Sequence, residues 1–525
     1  MNSISQSAIH NPQSSSLILV HPPVVKPSEP PPGIARLCGV LRHHGIPCQV
    51  VDANVEGILE LLRTPIGLSD TWTRRAERHL TNHLTSLTTW DGYRRYDSYR
   101  RSVHDLDRLL EMAGRSKGVR LSLGNYEHKE LRPTRNEDLL KAAEQPESDP
   151  FYPYFSKRLR ELIEVERPSI VGFSLNYLSQ ALSTFAMVGF LRREYPGLTL
   201  ILGGGLVTSW VRRPGWSNPF AGWVDHIVVG PGEKALLSIM GVNVETDGGQ
   251  DKQQWTPNYD VLPLHSYLAP GAILPYSASS GCYWNQCSFC PERAEGNPYV
   301  PVPIEKVTSH LRQLVEEHKP VLVHLTDNAI SPALLKAISS NPPGAPWYGF
   351  VRFTYHLTDL DFCLALKRSG CVMLKLGLES GDQRVLESMQ KGIDLGEASL
   401  ALKTLKQAGI ATYVYLLFGT PQESLEEARA TRDFVARHHD EIGFLNVAIF
   451  NLPVYGPDTM ELETKVFYEG DLSLYVDFEH PRGWNRKQVR QFLDKEFKRH
   501  PAIAPILRRD PPVFTSNHAP FFVMT

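Results

Sequence analysis

Cysteine, net charge and long hydrophobic runs are all scarce in this chain. Only seven of its 525 residues are cysteine, and the odd number argues against a disulfide framework. The 55 basic and 57 acidic residues leave a net charge of −2, so there is no electrostatic attraction to nucleic acid or an anionic membrane. No apolar run approaches the roughly 20 residues that span a bilayer. We therefore expect neither a nucleic-acid partner nor a membrane span.

The remaining composition is that of a globular protein, with 42% hydrophobic and 21% charged residues. Its length predicts two to four domains. The amino terminus is polar and lacks the basic-then-apolar pattern of a secretion signal. We expect residues 1–15 to be a loose tail and the protein to be cytoplasmic.

Residues 16–240 show strands alternating with helices. LILVHPP predicts a buried strand ended by prolines, and a helical pattern and a second strand, IPCQVVDAN, follow it. A mainly helical insertion is expected at about 55–165, after which the strands SIVGFSL, LTLILGGG and HIVVG resume the rhythm. This pattern predicts an α/β, doubly wound (Rossmann-like) sheet, a fold that binds ligands at the carboxyl ends of its strands.

The second half of the chain repeats the strand–helix alternation. Residues 241–275 are polar and contain prolines, which predicts a linker. Regular βα units from 276 to 460 predict a parallel sheet or barrel, with chemistry on the loops that follow the strands. The rhythm is lost in the C-terminal extension, 461–525. Its aromatic run RRDPPVFTSNHAPFF either covers the barrel mouth or has a plain packing role.

Three of the seven cysteines are gathered in SASSGCYWNQCSFCPE at the spacing C-x4-C-x2-C: Cys282, Cys287 and Cys290. Thiolates this close along the chain can converge on one metal centre, and three of them leave a metal position open to a substrate. The alternative is a closed zinc site completed by a distant histidine such as His265 or His324. The other four cysteines lie in apolar segments, where we expect them to act as small hydrophobic residues.

This segment resembles the radical S-adenosylmethionine (radical SAM) superfamily, whose members hold a [4Fe–4S] cluster on three cysteines in one loop after the first barrel strand. The usual spacing there is C-x3-C-x2-C, and this chain has one extra residue in the first gap. Gly281 precedes the first cysteine, and Phe289 takes the place of the aromatic residue that packs near the adenine of S-adenosylmethionine. The resemblance covers about 276–460 and implies a partial (β/α) barrel.

The resemblance also implies which residues contact S-adenosylmethionine. VHLTDNAI is similar to the strand end at the methionyl group, and the arginine of FVRFTY is placed like the base that meets the methionyl carboxylate. LGLESGDQRVLESMQKG resembles the run that holds the ribose or the carboxylate, and LLFGTPQES supplies a glycine for close backbone approach. The implied contacts are Phe289, Thr326, Asp327, Asn328, Arg352, Glu379, Ser380 and Gly419.

The front half of the chain resembles the cobalamin-binding domain that precedes the barrel in many of these enzymes. The similar stretches are HPPVVKPSEPPPG, VVDAN, VGFSLNYLSQA, LILGGG and VDHIVVGPGE. The crevice residues this implies are Ser174, Gly203, Gly204 and Gly205, with Gly232 and Glu233 on a later loop. The motif D-x-H-x-x-G, which supplies an axial histidine, is absent from residues 16–240. Two alternatives stay open, bound cobalamin without a protein histidine on cobalt, or a retained fold without a corrinoid.

Taken together, the resemblance implies an enzyme that uses a 5′-deoxyadenosyl radical to modify an organic substrate. With cobalamin, methylation of an unactivated carbon is expected; without it, the expected reactions are cyclisation, coupling or sulfur insertion. A third alternative is a zinc- or corrinoid-binding protein without turnover. The implied partners are an electron donor such as flavodoxin or ferredoxin and a small-molecule or peptide substrate, and no catalytic residue is assigned.

Overall fold

The computed structural model describes residues 16–67, 70–242, 255–467, 469–512 and 518–524. The predicted tail, 1–15, and residues 243–254 of the predicted linker lie outside these ranges. Within them, no helix is both long enough and apolar enough to cross a membrane.

The N-terminal part contains the following strands and helices in chain order. The strands are β1 (Leu17–His21), β2 (Cys48–Asp52), β3 (Val119–Ser122), β4 (Asn125–His128), β5 (Ile170–Ser174), β6 (Thr199–Gly203) and β7 (His226–Ile227). The helices are α1 (Pro32–His43), α2 (Ala53–Arg63), α3 (Thr71–Arg78), α4 (Leu80–Thr88), α5 (Trp90–Arg94), α6 (Tyr96–Arg115), α7 (Asn136–Glu144), α8 (Tyr152–Glu166), α9 (Leu178–Glu194), α10 (Gly205–Val211) and α11 (Glu233–Ile239).

Five of these strands form one parallel sheet in the order β2-β1-β5-β6-β7. β1 and most of β5 are buried, as the apolar sequences LILVH and IVGFS require of strands covered by helices on both faces. The predicted doubly wound sheet is confirmed. Its strand order reverses between β1 and β5, which places the ligand-binding crevice at their carboxyl ends.

The stretch between β2 and β5 holds helices α2 to α8, and also a hairpin that the sequence interpretation missed. Strands β3 and β4 pair antiparallel, with Val119 and Leu121 buried and Arg120 exposed. Each strand is only four residues long, so the alternation is too short to stand out beside the long amphipathic helices around it.

The second half contains the next group of elements. Its strands are β8 (Ile273–Tyr276), β9 (Ser279–Ser280), β10 (Val300–Pro301), β11 (Leu322–Leu325), β12 (Trp347–Val351), β13 (Cys371–Glu379), β14 (Ala411–Phe418) and β15 (Phe444–Ile449). Its helices are α12 (Pro291–Ala294), α13 (Ile304–His318), α14 (Pro332–Ser340), α15 (Leu360–Arg368), α16 (Gln383–Ser388), α17 (Leu395–Gln407) and α18 (Leu425–Arg437).

Six of these strands form a second parallel sheet in the order β15-β14-β13-β12-β11-β8. Strands that follow one another in the chain are neighbours, as in a (β/α) barrel. Among the described residues, the edge strands β8 and β15 do not pair with each other, so the barrel is open on one side. The predicted partial barrel is confirmed.

The chain ends in a small antiparallel sheet and short helices. These elements are β16 (Leu452–Pro453), α19 (Pro457–Glu461), β17 (Thr464–Lys465), β18 (Tyr475–Phe478), α20 (Arg486–Phe492), α21 (Ala504–Arg509) and α22 (Pro520–Val523). The three strands pair in the order β16-β18-β17.

The last described residues close the barrel at its amino-terminal end. Ala519 and Phe522 pack with Tyr348, Tyr413 and Phe444, which lie at or near the first residues of their strands. The alternative of a cover over the barrel mouth is therefore wrong, because the mouth is formed by the opposite, carboxyl ends of the strands. The described residues at the end of the run, 518–522, have the packing role instead.

Candidate functional site

The cysteine loop follows β8 at the carboxyl edge of the barrel. Its three cysteines are free thiols; Cys287 is buried, and Cys282 and Cys290 are partly exposed. Asn285, inside the first gap, has a φ of +45°, in the left-handed region that asparagine tolerates. A Cβ at Gly281 would stand 2.3 Å from the carbonyl oxygen of Pro298, so the loop is wrapped tightly against its own return strand.

Trp284, inside the first gap, fixes this loop to the segment after β13. Its indole N–H donates to the carbonyl oxygen of Gln390 at 3.0 Å, and the guanidinium of Arg352 lies 4.0 Å from the centre of its ring. A Cβ at Gly392 would come within 2.2 Å of the same ring. The sequence interpretation missed Trp284, although an aromatic residue between two ligating cysteines was a visible signal.

Two of the thiols have raised pKa values, and two cations lie close to one of them. Burial raises the pKa of Cys287, while Lys391 and Arg352 oppose the rise. Burial likewise raises the pKa of Cys290 to about 11. The Arg352 Nη1 atom stands 3.8 Å from the Cys287 sulfur. Since metal ions bind the thiolate, the two cations favour the ligating form, and the donor set fits an iron–sulfur cluster.

The zinc alternative gains no support from the geometry. Within the described ranges, no three His, Cys, Asp or Glu side chains converge as ligands of a single metal ion. His324 is engaged elsewhere, with Glu29 and Lys375 as its hydrogen-bond partners. A four-iron cluster does not require such convergence, because each thiolate binds a different iron.

Glu379 ends β13 in a strained conformation. Its φ is +67°, which costs a non-glycine residue about 1–2 kcal/mol, and the strand register shifts at this point. The carboxylate accepts a hydrogen bond from Lys391 Nζ at 2.8 Å, and both side chains are buried. A Cβ at Gly377 would lie 2.6 Å from the Glu379 Oε1 atom and 2.8 Å from that Nζ, so a larger residue there would displace the pair. The sequence interpretation missed Lys391 and Gly377.

Four side chains thus meet beside the cysteine loop. Lys391 Nζ lies 5.5 Å from the ring centre of Phe289, and the Arg352 guanidinium donates to the carbonyl oxygen of Lys391. The structure therefore brings the predicted residues Phe289, Arg352 and Glu379 together with Lys391.

The predicted residues that follow β11 form hydrogen bonds that hold the cysteine loop and the end of β8 in place. Asp327 is buried, and its two carboxylate oxygens accept from the amide of Ala278 and the hydroxyl of Ser279. The amide of Asn328 donates to the carbonyl oxygen of Gly281 at 3.3 Å. Thr326 is partly exposed, and its backbone N–H donates a hydrogen bond to the carbonyl oxygen of Tyr276. Burial raises the pKa of Asp327, and its hydrogen bonds oppose the rise.

Two predicted residues lie apart from this group. Ser380 is fully buried, and its hydroxyl faces that of Thr431 on α18 at 3.3 Å. Gly419 donates its amide to Glu423 and lines a cavity of about 320 Å³ with the C-terminal residues His480 and Trp484. Both hold the loops that follow β13 and β14.

A larger cavity, of about 610 Å³, lies between the cysteine loop and the carboxyl edge of the five-stranded sheet. All four residues predicted for the crevice line it: Ser174, Gly203, Gly204 and Gly205, and so do Gly232 and Glu233. Ser280, Gly281 and Pro291 of the cysteine loop region form the facing wall. The C-terminal residues Tyr455 and Tyr475 add a side that the sequence interpretation missed.

Closely packed glycine backbone and apolar side chains form the walls of this cavity. Gly204 has a φ of +113°, and a Cβ there would stand 2.3 Å from the carbonyl oxygen of Leu175. Asn176, also missed from the sequence, accepts from the amide of Gly205 at 2.9 Å. The apolar residues of the wall are Leu19, Leu37, Ile201, Val228 and Leu236. A glycine cradle with apolar walls fits a broad ring system such as a corrin.

No histidine is among the described residues that line the cavity. His21 is the last residue of β1 and is buried, while His43 and His44 lie at the end of α1 against Trp255. The sequence prediction, that any bound cobalamin has no protein histidine on cobalt, stays a prediction.

Residues 276–435 match the model of the Radical SAM superfamily. An uncharacterized methyltransferase of Pyrococcus horikoshii is 28% identical over 311 residues, which are 53% of this chain and 66% of that protein. The hopanoid C-3 methylase of Methylococcus capsulatus is 23% identical over 350 residues, 61% of this chain and 65% of the methylase. The matches thus span slightly less than two thirds of each relative.

The fold is similar to that of TsrM from Kitasatospora setae, a radical S-adenosylmethionine methyltransferase solved with cobalamin and a [4Fe–4S] cluster bound. The TM-score is 0.53 at 16% identity, over 86% of this chain and 78% of TsrM. Residues 276–435 thus match a radical SAM domain, and the doubly wound sheet precedes them in an arrangement whose fold is similar to that of TsrM.

Proposed function

We propose that the chain is a cobalamin-dependent radical SAM enzyme that methylates an unactivated carbon of an organic substrate. The observation that carries this proposal is the cavity of about 610 Å³ with the glycine edge of one sheet on one side and the cysteine loop of the other sheet on the opposite side. A corrinoid held there faces the loop that carries the three cysteines. The names of the two relatives, a methyltransferase and a methylase, agree with this reaction.

In this proposal Cys282, Cys287 and Cys290 hold the [4Fe–4S] cluster. When bound, the cluster and S-adenosylmethionine supply a carbon radical that abstracts hydrogen, and cobalamin supplies a transferable methyl group. The protein's share is orientation and exclusion of water, which the burial of the surrounding residues provides.

The side chains around the loop have separate proposed roles. Arg352 carries a positive charge beside Cys287 and pairs with the methionyl carboxylate, while Glu379 accepts hydrogen bonds from ribose hydroxyls. Lys391 balances the charge of Glu379, and Phe289 packs on the adenine. The remaining predicted contacts contribute through backbone and loop placement: Thr326, Asp327, Asn328, Ser380 and Gly419.

The decisive experiment is anaerobic purification after growth with cobalamin, followed by absorption spectroscopy and metal, sulfide and corrinoid analysis. We expect about four irons and four sulfides per chain, with one corrinoid. With S-adenosylmethionine and dithionite the protein should release 5′-deoxyadenosine. Stoichiometric zinc without labile sulfide would reject the proposal. A cluster without corrinoid, despite good supply, would favour cyclisation, coupling or sulfur insertion instead.

The lower face of cobalt gives a second test. Because no histidine lines the described cavity, the Co(II) form should show no superhyperfine splitting from an axial nitrogen in electron paramagnetic resonance. A nitrogen triplet on the axial lines would contradict this expectation. We further propose a reduced flavodoxin or ferredoxin as the electron donor and the cytoplasm as the location, since such a cluster needs a strong reductant.

A further inference from the structure

The interior of the partial barrel contains a polar layer below the level of Glu379. Side chains alternate along strands, so Lys375 and Gly377 face the same side of β13, and a Cβ at Gly377 would point at the Glu379 carboxylate. Lys375 Nζ lies 2.9 Å from the Nε2 atom of His324 on β11. Below this layer the barrel is apolar, with Tyr348, Met373 and the C-terminal tail in contact.

A glutamate from the other domain completes the layer. Glu29, on the proline-rich loop after β1, places both carboxylate oxygens 3.0 Å from the His324 Nδ1 atom. The Tyr348 ring stacks on the imidazole, with centres 4.3 Å apart. With Nδ1–H donating to Glu29, Nε2 is left to accept from the ammonium group of Lys375, which assigns the neutral tautomer. Burial lowers the pKa of His324, in agreement with that assignment.

The layer carries more positive than negative charge. Lys26, on the same loop as Glu29, is partly exposed, and burial lowers its pKa while the charge of Glu29 opposes the decrease. Burial also lowers the pKa of Lys375 to about 8, with Glu29 opposing, so at neutral pH this amine is still mostly protonated. His518 is neutral, because burial lowers its pKa to about 3. Two ammonium groups therefore face one carboxylate.

This layer borders open space rather than a packed core. Lys375 and the neighbouring inward residue Tyr415 on β14 are each partly exposed, and the Glu29 side chain is 17% exposed. Tyr177, close enough for the charge of Glu29 to contribute to the raised pKa of its phenol, is 56% exposed. A molecule occupying this space would lie one layer below Glu379.

We propose that Lys375 and Lys26 bind a carboxylate of the substrate, which holds its reacting carbon toward the level of Glu379 and the cysteine loop. The inference rests on the proposed radical SAM function and names the substrate class. Two ammonium groups close to one carboxylate leave a net positive charge beside the apolar part of the barrel, and a bound carboxylate supplies the missing negative charge. In the described part of the chain, the ammonium of Lys375 has His324 as its hydrogen-bond acceptor, which leaves further N–H groups to donate.

The test uses unbranched carboxylates from acetate to decanoate and the primary amide of each as probes. Dissociation constants are measured by anaerobic calorimetry on cluster-loaded protein with S-adenosylmethionine. At least one carboxylate should bind about 10-fold or more tightly than its amide, the difference expected of a charge-assisted hydrogen bond. Lys375→Met and Lys26→Met should each reduce this preference, and Lys375→Arg should retain part of it.

The matched control is Lys336→Met, which changes an exposed lysine on α14 and should keep the full preference. Circular dichroism and iron content show whether each variant is folded, and Lys26→Met changes a loop rather than a barrel strand. The inference is overturned if no carboxylate binds more tightly than its amide, or if the preference survives in Lys375→Met. Failure of the proposed function is recognised separately, because wild-type protein would then release no 5′-deoxyadenosine.

Discussion

At the carboxyl edge of the five-stranded sheet, β6 ends in Gly203, and two more glycines follow it into the cavity. At the same edge of the six-stranded sheet, β13 ends in Glu379, which is held by Lys391. The first edge thus provides glycine backbone that a ligand can approach closely, and the second edge provides charged side chains. Substitutions should therefore act by steric exclusion on the first edge and by loss of chemistry on the second.

The largest effect is expected for the three cysteines. Replacing any one of Cys282, Cys287 or Cys290 by alanine should abolish both the four-iron spectrum and the release of 5′-deoxyadenosine, since a cluster with two ligands is not held. The control is Cys48→Ala on β2, which lies in the other sheet and should leave iron content unchanged. A full cluster in Cys290→Ala would show that the ligands are misassigned.

Charge at the barrel edge is tested next. Glu379→Ala should weaken S-adenosylmethionine binding by about 10- to 100-fold, the value of hydrogen bonds to a charged group, while leaving the absorption of the cluster intact. Gly377→Ala should act in the same direction, because its methyl group would displace the Glu379 carboxylate. Glu387→Ala, an exposed carboxylate on α16, is the control. Unchanged binding in Glu379→Ala would refute the placement of the ribose contacts.

Shape at the other edge is tested with Gly205→Leu. A Cβ at Gly205 is 3.7 Å from its nearest neighbour, Asn176, so the fold should accept the change while the side chain fills the cavity. We expect bound corrinoid to fall about 10-fold, an estimate based on a steric cost of about 1–3 kcal/mol, with iron content unchanged. Gly197→Leu is the control, because nothing lies within 4 Å of its Cβ position. Equal corrinoid content in both variants would argue against this cavity as the cobalamin site.

The two sheets also differ in how far their sites could be predicted from sequence. The glycines after β6 and the three cysteines are contiguous in the chain, and local patterns were enough to find them. The contacts Glu379–Lys391 and Arg352–Trp284 join residues from different loops. Which loops come together depends on tertiary packing, and a local sequence pattern does not predict it. The position of the C-terminal tail was ambiguous for the same reason. An aromatic run can pack on either end of a barrel, and only the partners Tyr413 and Phe444 decide between them.

The smallest effect concerns Glu423, a carboxyl at the barrel edge that contributes packing rather than charge. It is fully buried and accepts hydrogen bonds from the amide of Gly419 and the indole of Trp484. Burial raises its pKa from 4.5 to about 8. The folded protein therefore holds this proton more tightly than the unfolded chain does, so the stabilisation is complete below pH 4.5 and is lost as the pH rises to about 8.

The substitution Glu423→Gln places a neutral amide of the same shape at this position and removes the carboxyl group that titrates. At pH 9 the variant should unfold at a temperature about 2 °C or more above the wild type, whereas near pH 5 the two midpoints should coincide. Glu426→Gln, three residues along and exposed, should track the wild type at both pH values. If Glu423→Gln is less stable than the wild type at pH 9, the ionised carboxylate stabilises the folded protein, which contradicts a raised pKa. Glu423 would then contribute negative charge at the carboxyl edge of the six-stranded sheet, as Glu379 does. The loop after β14 would in that case belong to the charged edge.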